Sequence, residues 1–204
     1  MDDIRNLKAL QLDALQEVAN IGAGHAATAL SQMTGHTIMI SVPRLTITRL
    51  EDVHNEIESH EEPVAAVLMR MVGDLTGLTM LLFPRKTALR VASLMMKKPD
   101  IAELGPFEQS ALKEAGNILS AAYLNALSAF LGMILLPSPP SLAVDLSHAV
   151  LSSSYVEMAH GAEFVFCVES EFHLKDVGEH LRGFFLLMPD VASLSAILRA
   201  IRVA

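Results

Sequence analysis

An acid and an amide stand three residues apart twice in this chain, as Glu17 with Asn20 and as Glu114 with Asn117. Each pair has a small polar residue four positions upstream, Asp13 and Ser110, and a proline well downstream, Pro43 and Pro140. Every member of the second set follows its counterpart by 97 residues (110−13, 114−17, 117−20 and 140−43). On a helix, positions three and four apart are neighbours, so Asp13, Glu17 and Asn20 share one stripe, as do Ser110, Glu114 and Asn117. Neither stripe holds a nucleophile: an amide is inert, and Ser110 has no base nearby in sequence. The second copy has no close carboxylate pair of the kind glycoside hydrolysis needs. A side-chain amide both donates and accepts hydrogen bonds, so it can hold a water in line with a bond to be broken without moving a proton. That suits phosphoryl hydrolysis, where positioning supplies much of the catalysis. The glutamate is then free to meet a cation on a partner.

One such stripe would read as an ordinary wet helix face. Two with the same spacing and the same distant proline do not, because drift scrambles exposed polar positions after a duplication. Both stripes are set in apolar, alanine-rich text, Leu15-Gln16-Glu17-Val18-Ala19-Asn20-Ile21 and Leu112-Lys113-Glu114-Ala115-Gly116-Asn117-Ile118.

The elements that must carry them follow from periodicity and punctuation. Leu7, Leu10, Ala14, Val18 and Ile21 recur at helical spacing and predict one apolar face of a helix from about Asp3 to Met33. Gly22-Ala23-Gly24 inside it predicts a kink or a close helix approach, and Gly35 a stop. Strands are expected at Thr37–Val42 and Leu45–Leu50 around Pro43, then a solvated acidic loop over Glu51–Glu62. A hairpin at Val64–Val72 and Leu75–Phe83 leads to a helix over Lys86–Lys97. Pro106 opens the second motif helix, which runs to about Leu131, followed by short strands at Met133–Leu136 and Leu142–Leu146. His148–Met158 fits no template. A second hairpin, Glu163–Leu174 with His180–Met188, leads to a last helix that Asp190 caps. The halves, about 1–98 and 106–204, therefore match in element order. Leu75-Thr76-Gly77 and Leu181-Arg182-Gly183 also correspond. The expectation is one α/β (α+β) domain over 1–204, pseudo-twofold, with strands of both halves in a mixed central sheet and the motif helices on its outer face.

Composition bounds the function. Net charge is −8, which argues against nucleic acid, since phosphate contacts need clustered Lys and Arg. Half the residues are hydrophobic (51%), enough for a sizeable core. Ile118–Leu136 is long enough to consider as a membrane span, but Ser120, Tyr123, Asn125 and Ser128 and the lack of basic flanks favour a helix packed within a soluble domain. The one cysteine, Cys167, lies in a strand-like apolar run. The eight histidines are scattered without ligand spacing. Gly22-Ala23-Gly24 has neither the preceding strand nor the third glycine of a dinucleotide loop. The start of the chain lacks a signal-peptide layout, so cytoplasm is the expected location.

Asp or Ser, three residues, Glu, two residues, Asn, then 22 residues and Pro resembles the signature of the CheC–CheX–FliY phosphatase family. Both copies fit it. The CheC branch is suggested further by Glu17-Val18-Ala19-Asn20-Ile21-Gly22-Ala23-Gly24, Ala26-Ala27-Thr28-Ala29-Leu30 and Ile40-Ser41-Val42-Pro43. The resemblance implies an enzyme that dephosphorylates the response regulator CheY in chemotaxis. It implies that Asn20 and Asn117 orient the attacking water and that Glu17 and Glu114 pair with the regulator's lysine. It makes Asp13, Ser110, Pro43 and Pro140 supporting positions. It implies no cofactor or metal of the chain's own, because the Mg²⁺ belongs to the regulator. It also implies a possible second partner, the receptor deamidase CheD, with a non-catalytic adaptor of that deamidase as the alternative function. His25 stands where CheC-type proteins often carry Asn, which is expected to alter helix packing and leave the acid–amide groups intact.

Overall fold

The computed structural model describes residues 9–55, 57, 63–99, 101–157 and 164–203. Two long helices of equal length, α1 (Ala9–Thr34) and α3 (Pro106–Leu131), carry the two stripes. Between and after them come strands β1 (Ile38–Arg49), β2 (Pro63–Gly73) and β3 (Gly77–Pro84) with helix α2 (Arg85–Met96), then β4 (Leu135–Pro137), β5 (Ser141–Leu146), helix α4 (Ser147–Glu157), β6 (Phe164–Leu174), β7 (Glu179–Pro189) and helix α5 (Val191–Val203). The start of the expected first helix, before Ala9, lies outside the described residues.

Among the described residues seven strands form one sheet in the order β1-β6-β7-β3-β2, with β4 and β5 both pairing β2. The arrangement is pseudo-twofold about the β3–β7 contact. Each half contributes a hairpin (β2–β3 and β6–β7) to the centre. The strand that follows each motif helix crosses over to pair with the other half's hairpin: β1 on β6, and β4 with β5 on β2. Every ladder is antiparallel, so the expected mixed sheet is narrower in kind. The reason is topological: hairpins fix antiparallel neighbours, and the exchanged strands run against them.

The two distant prolines mark one structural event. A proline cannot donate to a ladder. In β1, Ser41 faces Glu171 and Arg44 faces Glu169, so three steps on one strand oppose two on the other. That is a bulge at Val42-Pro43 in one continuous strand, where two strands were expected. In the second half the break is complete: Ser138, Pro139 and Pro140 separate β4 from β5. Ser138 spans the gap, its N–H donating to the Arg70 carbonyl (2.8 Å) and its Oγ accepting from the Arg70 N–H (2.9 Å).

The sheet is covered on both faces. On one, α1, α2, α3 and α5 pack over Val67, Leu81, Phe83, Phe172 and Phe185. On the other, Val53 and Ile57, with Val150 and Leu151 of α4, cover Ala66, Met80, Leu82, Cys167 and Leu186. Two expectations change here. The acidic segment is not wholly solvated: a 3-10 turn at Leu50–Asn55 buries Val53 completely, and Ile57 is buried beyond it. The unassigned stretch at His148–Met158 is helical through Glu157, since it caps the second face. Strands buried on both sides read as continuous apolar runs, without the alternation of a one-sided sheet.

The helix pair is held close by small residues. α1 turns Ala19, Gly22, Ala23, Ala26 and Ala27 inward. A Cβ at Gly22 would lie 2.9 Å from Tyr123 Cδ1 and 3.0 Å from Tyr123 Cα on α3. Gly22-Ala23-Gly24 is therefore a close approach within an unbroken helix, one of its two expected meanings. Gly35 ends α1 at φ +78°, its N–H bonded to the Ser31 carbonyl at 2.9 Å.

Candidate functional site

The buried residues of α1, Leu15, Val18, Ala19, Gly22, Ala23 and Ala26, centre on a direction roughly opposite Glu17 on the helical wheel. Leu112, Gly116, Leu119 and Tyr123 do the same opposite Glu114 on α3. The core thus fixes the rotation of each helix and turns each acid–amide stripe outward. Asp13, Glu17 and Asn20 are exposed; Ser110 and Glu114 are exposed and Asn117 is half-buried. Neither amide is sealed beneath the core.

Among the described residues, no hydrogen bond or ion pair engages the side chains of Asp13, Glu17, Asn20, Glu114 or Asn117. Ser110 is the exception: its hydroxyl donates to the Pro106 carbonyl one turn back (3.1 Å), leaving only its lone pairs to a partner. The two stripes therefore differ in charge as well as in donor capacity. Pro43 and Pro140 do not join the stripes; they sit at the strand breaks. Gln16 explains the link on the first side. Its amide donates to the carbonyl of Val42, tying the bulge beside Pro43 to the helix turn that carries Glu17.

The apolar face expected from Leu7, Leu10, Ala14, Val18 and Ile21 is corrected by the structure. Val18 is buried as expected and Ala14 is half-buried, but Leu10 is 77% exposed and Ile21 45% exposed, and the face that reaches the core runs on through Ala19 and Gly22. The helix rotates so that its thinnest side meets α3, and larger side chains at positions 10 and 21 are left outside. Leu7 lies outside the described residues. His25 is exposed, so its departure from the family pattern falls on the surface and not in the helix contact.

No group of three or more His, Cys, Asp or Glu among the described residues could hold a metal ion. Clefts of about 360 Å³ beside His173 and His180 and about 330 Å³ beside Arg85 and Glu103 include neither stripe. The stripes are convex, and a convex site acts on something that brings its own pocket.

Fold and site define a class: a duplicated α/β protein that presents paired acid–amide groups outward from two packed helices. The sequence profile of the CheC-like family matches residues 10–47 and again 107–144, segments themselves 97 apart (107−10 and 144−47). The CheY-P phosphatase CheC of Bacillus subtilis is 32% identical over 95% of this chain and 94% of its own length. The flagellar motor switch phosphatase FliY of the same organism is 26% identical over 68% of this chain and 36% of its own. The crystal structure of Thermotoga maritima FliY superposes with a TM-score of 0.79 at 23% identity, covering 97% of this chain and 98% of that one. This chain belongs to the CheC-like family.

Proposed function

We propose how this chain, a CheY-P phosphatase of the CheC type, performs its reaction. The observation that carries the reading is the doubled outward stripe, in which two carboxylates and two carboxamides have no internal partner among the described residues. Asn20 or Asn117 enters the regulator's acidic pocket. Its amide holds a water opposite the bond between phosphorus and the aspartyl oxygen. The water oxygen attacks phosphorus, the bond to the aspartyl oxygen breaks, and the aspartate leaves as its carboxylate. Both of the water's protons leave on the phosphate oxygens as dihydrogen phosphate, so the chain needs no general base and no covalent intermediate. Glu17 or Glu114 pairs with the regulator's active-site lysine and fixes the depth of the amide. The regulator's own Mg²⁺ supplies neutralisation of phosphoryl charge, and no residue of this chain is assigned to it.

Phosphate release from phosphorylated CheY tests the assignment. Asn20→Ala combined with Asn117→Ala is expected to reduce the rate to the regulator's own, while each single variant keeps part of the acceleration. Full activity in the double variant rejects the roles. No helix among the described residues is long and apolar enough to cross a membrane, and action in the cytoplasm is part of the same proposal. Binding to a CheD-type deamidase is a further part of it. Co-purification with CheD would support that partner, and doing so without any effect on CheY phosphate lifetime would favour an adaptor instead.

A further inference from the structure

The stripes carry a third shared feature. Leu10 and Phe107 are the two most exposed large hydrophobic side chains among the described residues, each at 77%. They are also repeat equivalents, 97 apart (107−10). Each precedes its glutamate by seven residues, which on an α-helix is two turns and an angular offset of only about 20°. Each therefore stands on the same outward stripe as the acid and the amide. The distance from Leu10 to Asn20, ten residues of helix, is about 15 Å. Isolated exposed apolar residues are common on protein surfaces. A matched pair, the most exposed of their kind and in line with the two polar stripes, is not explained that way. Nor is it explained by burial in the core, since neither side chain is a member of the core clusters and each is mostly exposed. Met39 and Leu136 are also 97 apart (136−39) and half exposed. They lie on the strands that follow the far ends of α1 and α3, and those ends are 24 residues, about 36 Å, along the helix from Leu10 and Phe107, so they are not continuous with the stripes.

We propose that Leu10 and Phe107 are docking anchors that seat the phosphorylated regulator by burying in an apolar patch beside its phosphorylation pocket, about 15 Å from where the amide enters. This rests on the phosphatase reading above. The stripe then has an order along the helix: an apolar anchor, a small polar residue, the glutamate and finally the amide. The anchors act on association and hold nothing in the transition state that they do not already hold in the complex. Uniform binding of that kind changes KM and leaves kcat alone. Phenylalanine is enriched at interface cores and leucine under-represented among hot spots, so the Phe107 stripe binds the regulator more tightly than the Leu10 stripe.

The test isolates one site at a time. Asn20→Ala leaves only the second stripe competent, and Phe107→Ser is added to it; Asn117→Ala leaves only the first, and Leu10→Ser is added. Phosphate release is followed against the concentration of phosphorylated CheY. Each anchor variant is expected to raise KM roughly tenfold with kcat within about twofold of its parent, and Phe107→Leu to retain most of the affinity. Urea midpoints unchanged from the parents would show that folding is not the cause. Unchanged KM in both backgrounds overturns the anchors while the phosphatase reading stands. A fall in kcat with KM unchanged overturns them as well. Wild-type protein that fails to accelerate phosphate loss overturns the phosphatase reading, and the anchors with it.

Discussion

At the scale of single residues, the division between what reacts and what supports is set by access. An amide on a convex surface can be inserted into a pocket; a carboxylate in its place would carry like charge toward a phosphoryl group, a repulsion of about 4 kcal/mol at 4 Å in a partly screened setting. That is a reason for asparagine at the tip and glutamate one turn back. Support is exemplified by Tyr123. It stacks on Phe185 with ring centroids 4.5 Å apart, and its hydroxyl meets Ser170 Oγ at 2.8 Å in the core beneath α3. Burial pushes its ionisation from 10.0 up to about 12, against the smaller opposing effect of the Ser170 hydrogen bond. The unfolded chain loses this proton first, so the contribution to stability is complete below pH 10 and is lost as pH rises from about 10 to about 12. Its size is on the order of 2–3 kcal/mol. Tyr123→Phe should flatten that part of the alkaline decline. Near neutral pH it should cost about 1–3 kcal/mol by leaving Ser170 buried without its partner. Urea midpoints between pH 7 and 12 read both effects, and an alkaline decline unchanged in Tyr123→Phe would contradict the assignment.

At the scale of elements, the α1–α3 contact decides how both stripes are presented, and two neighbouring glycines separate its contributions. In Gly22→Ala the helix gains about 1 kcal/mol of propensity. The added methyl, however, lies 2.9 Å from Tyr123 Cδ1 and 3.0 Å from its Cα, so the helices must separate. Overpacking of this kind costs about 1–3 kcal/mol, and net destabilisation is expected, lowering Tm by several degrees. Gly24→Ala has nothing within 4 Å of the new methyl and should show the propensity gain alone, raising stability by up to about 1 kcal/mol. Thermal melts of the two variants moving the same way would remove the close approach as the reason for Gly22. The same contact explains which parts of the fold were legible in the sequence. The bounds of α3 could be read from Pro106 and Gly132, because a proline start and a glycine stop are local signals. The outward stripe could be read from the repeat. The inward face of α1 could not, because alanine and glycine carry little hydropathy: the larger Leu10 and Ile21 outweighed Ala19, Gly22 and Ala23 in any apolar count. An apolar count consequently turns position 10 toward the core and hides its match to Phe107. The second face of the sheet was hidden for a related reason, since Val53 and Ile57 are lone apolar residues in acidic text.

At the scale of the molecule, duplication did not produce two units that stand alone. β1 takes all its ladder partners from β6, and β4 and β5 take theirs from β2, so each half lends its outer strand to the other. The inner contact, β3 on β7, also crosses the halves. So does α1 on α3. A fragment of residues 1–104 would hold only the β2–β3 ladder intact, and a two-stranded hairpin is marginal in water. It would also expose the apolar side of α1 that Tyr123 and its neighbours cover. That fragment alone should therefore show no cooperative urea transition as a monomer. Mixed with residues 105–204 it should regain the far-ultraviolet circular dichroism of the intact chain and its phosphate-release activity. Because the halves are related by a pseudo-twofold axis, the first fragment can also pair with a second copy of itself, β1 of each lying where β4 and β5 belong; such a product would melt at a midpoint that rises with concentration. A monomeric fragment with a concentration-independent cooperative transition would contradict strand exchange as the source of stability, and each stripe would then be the property of its own half and not of the shared sheet that now turns both outward.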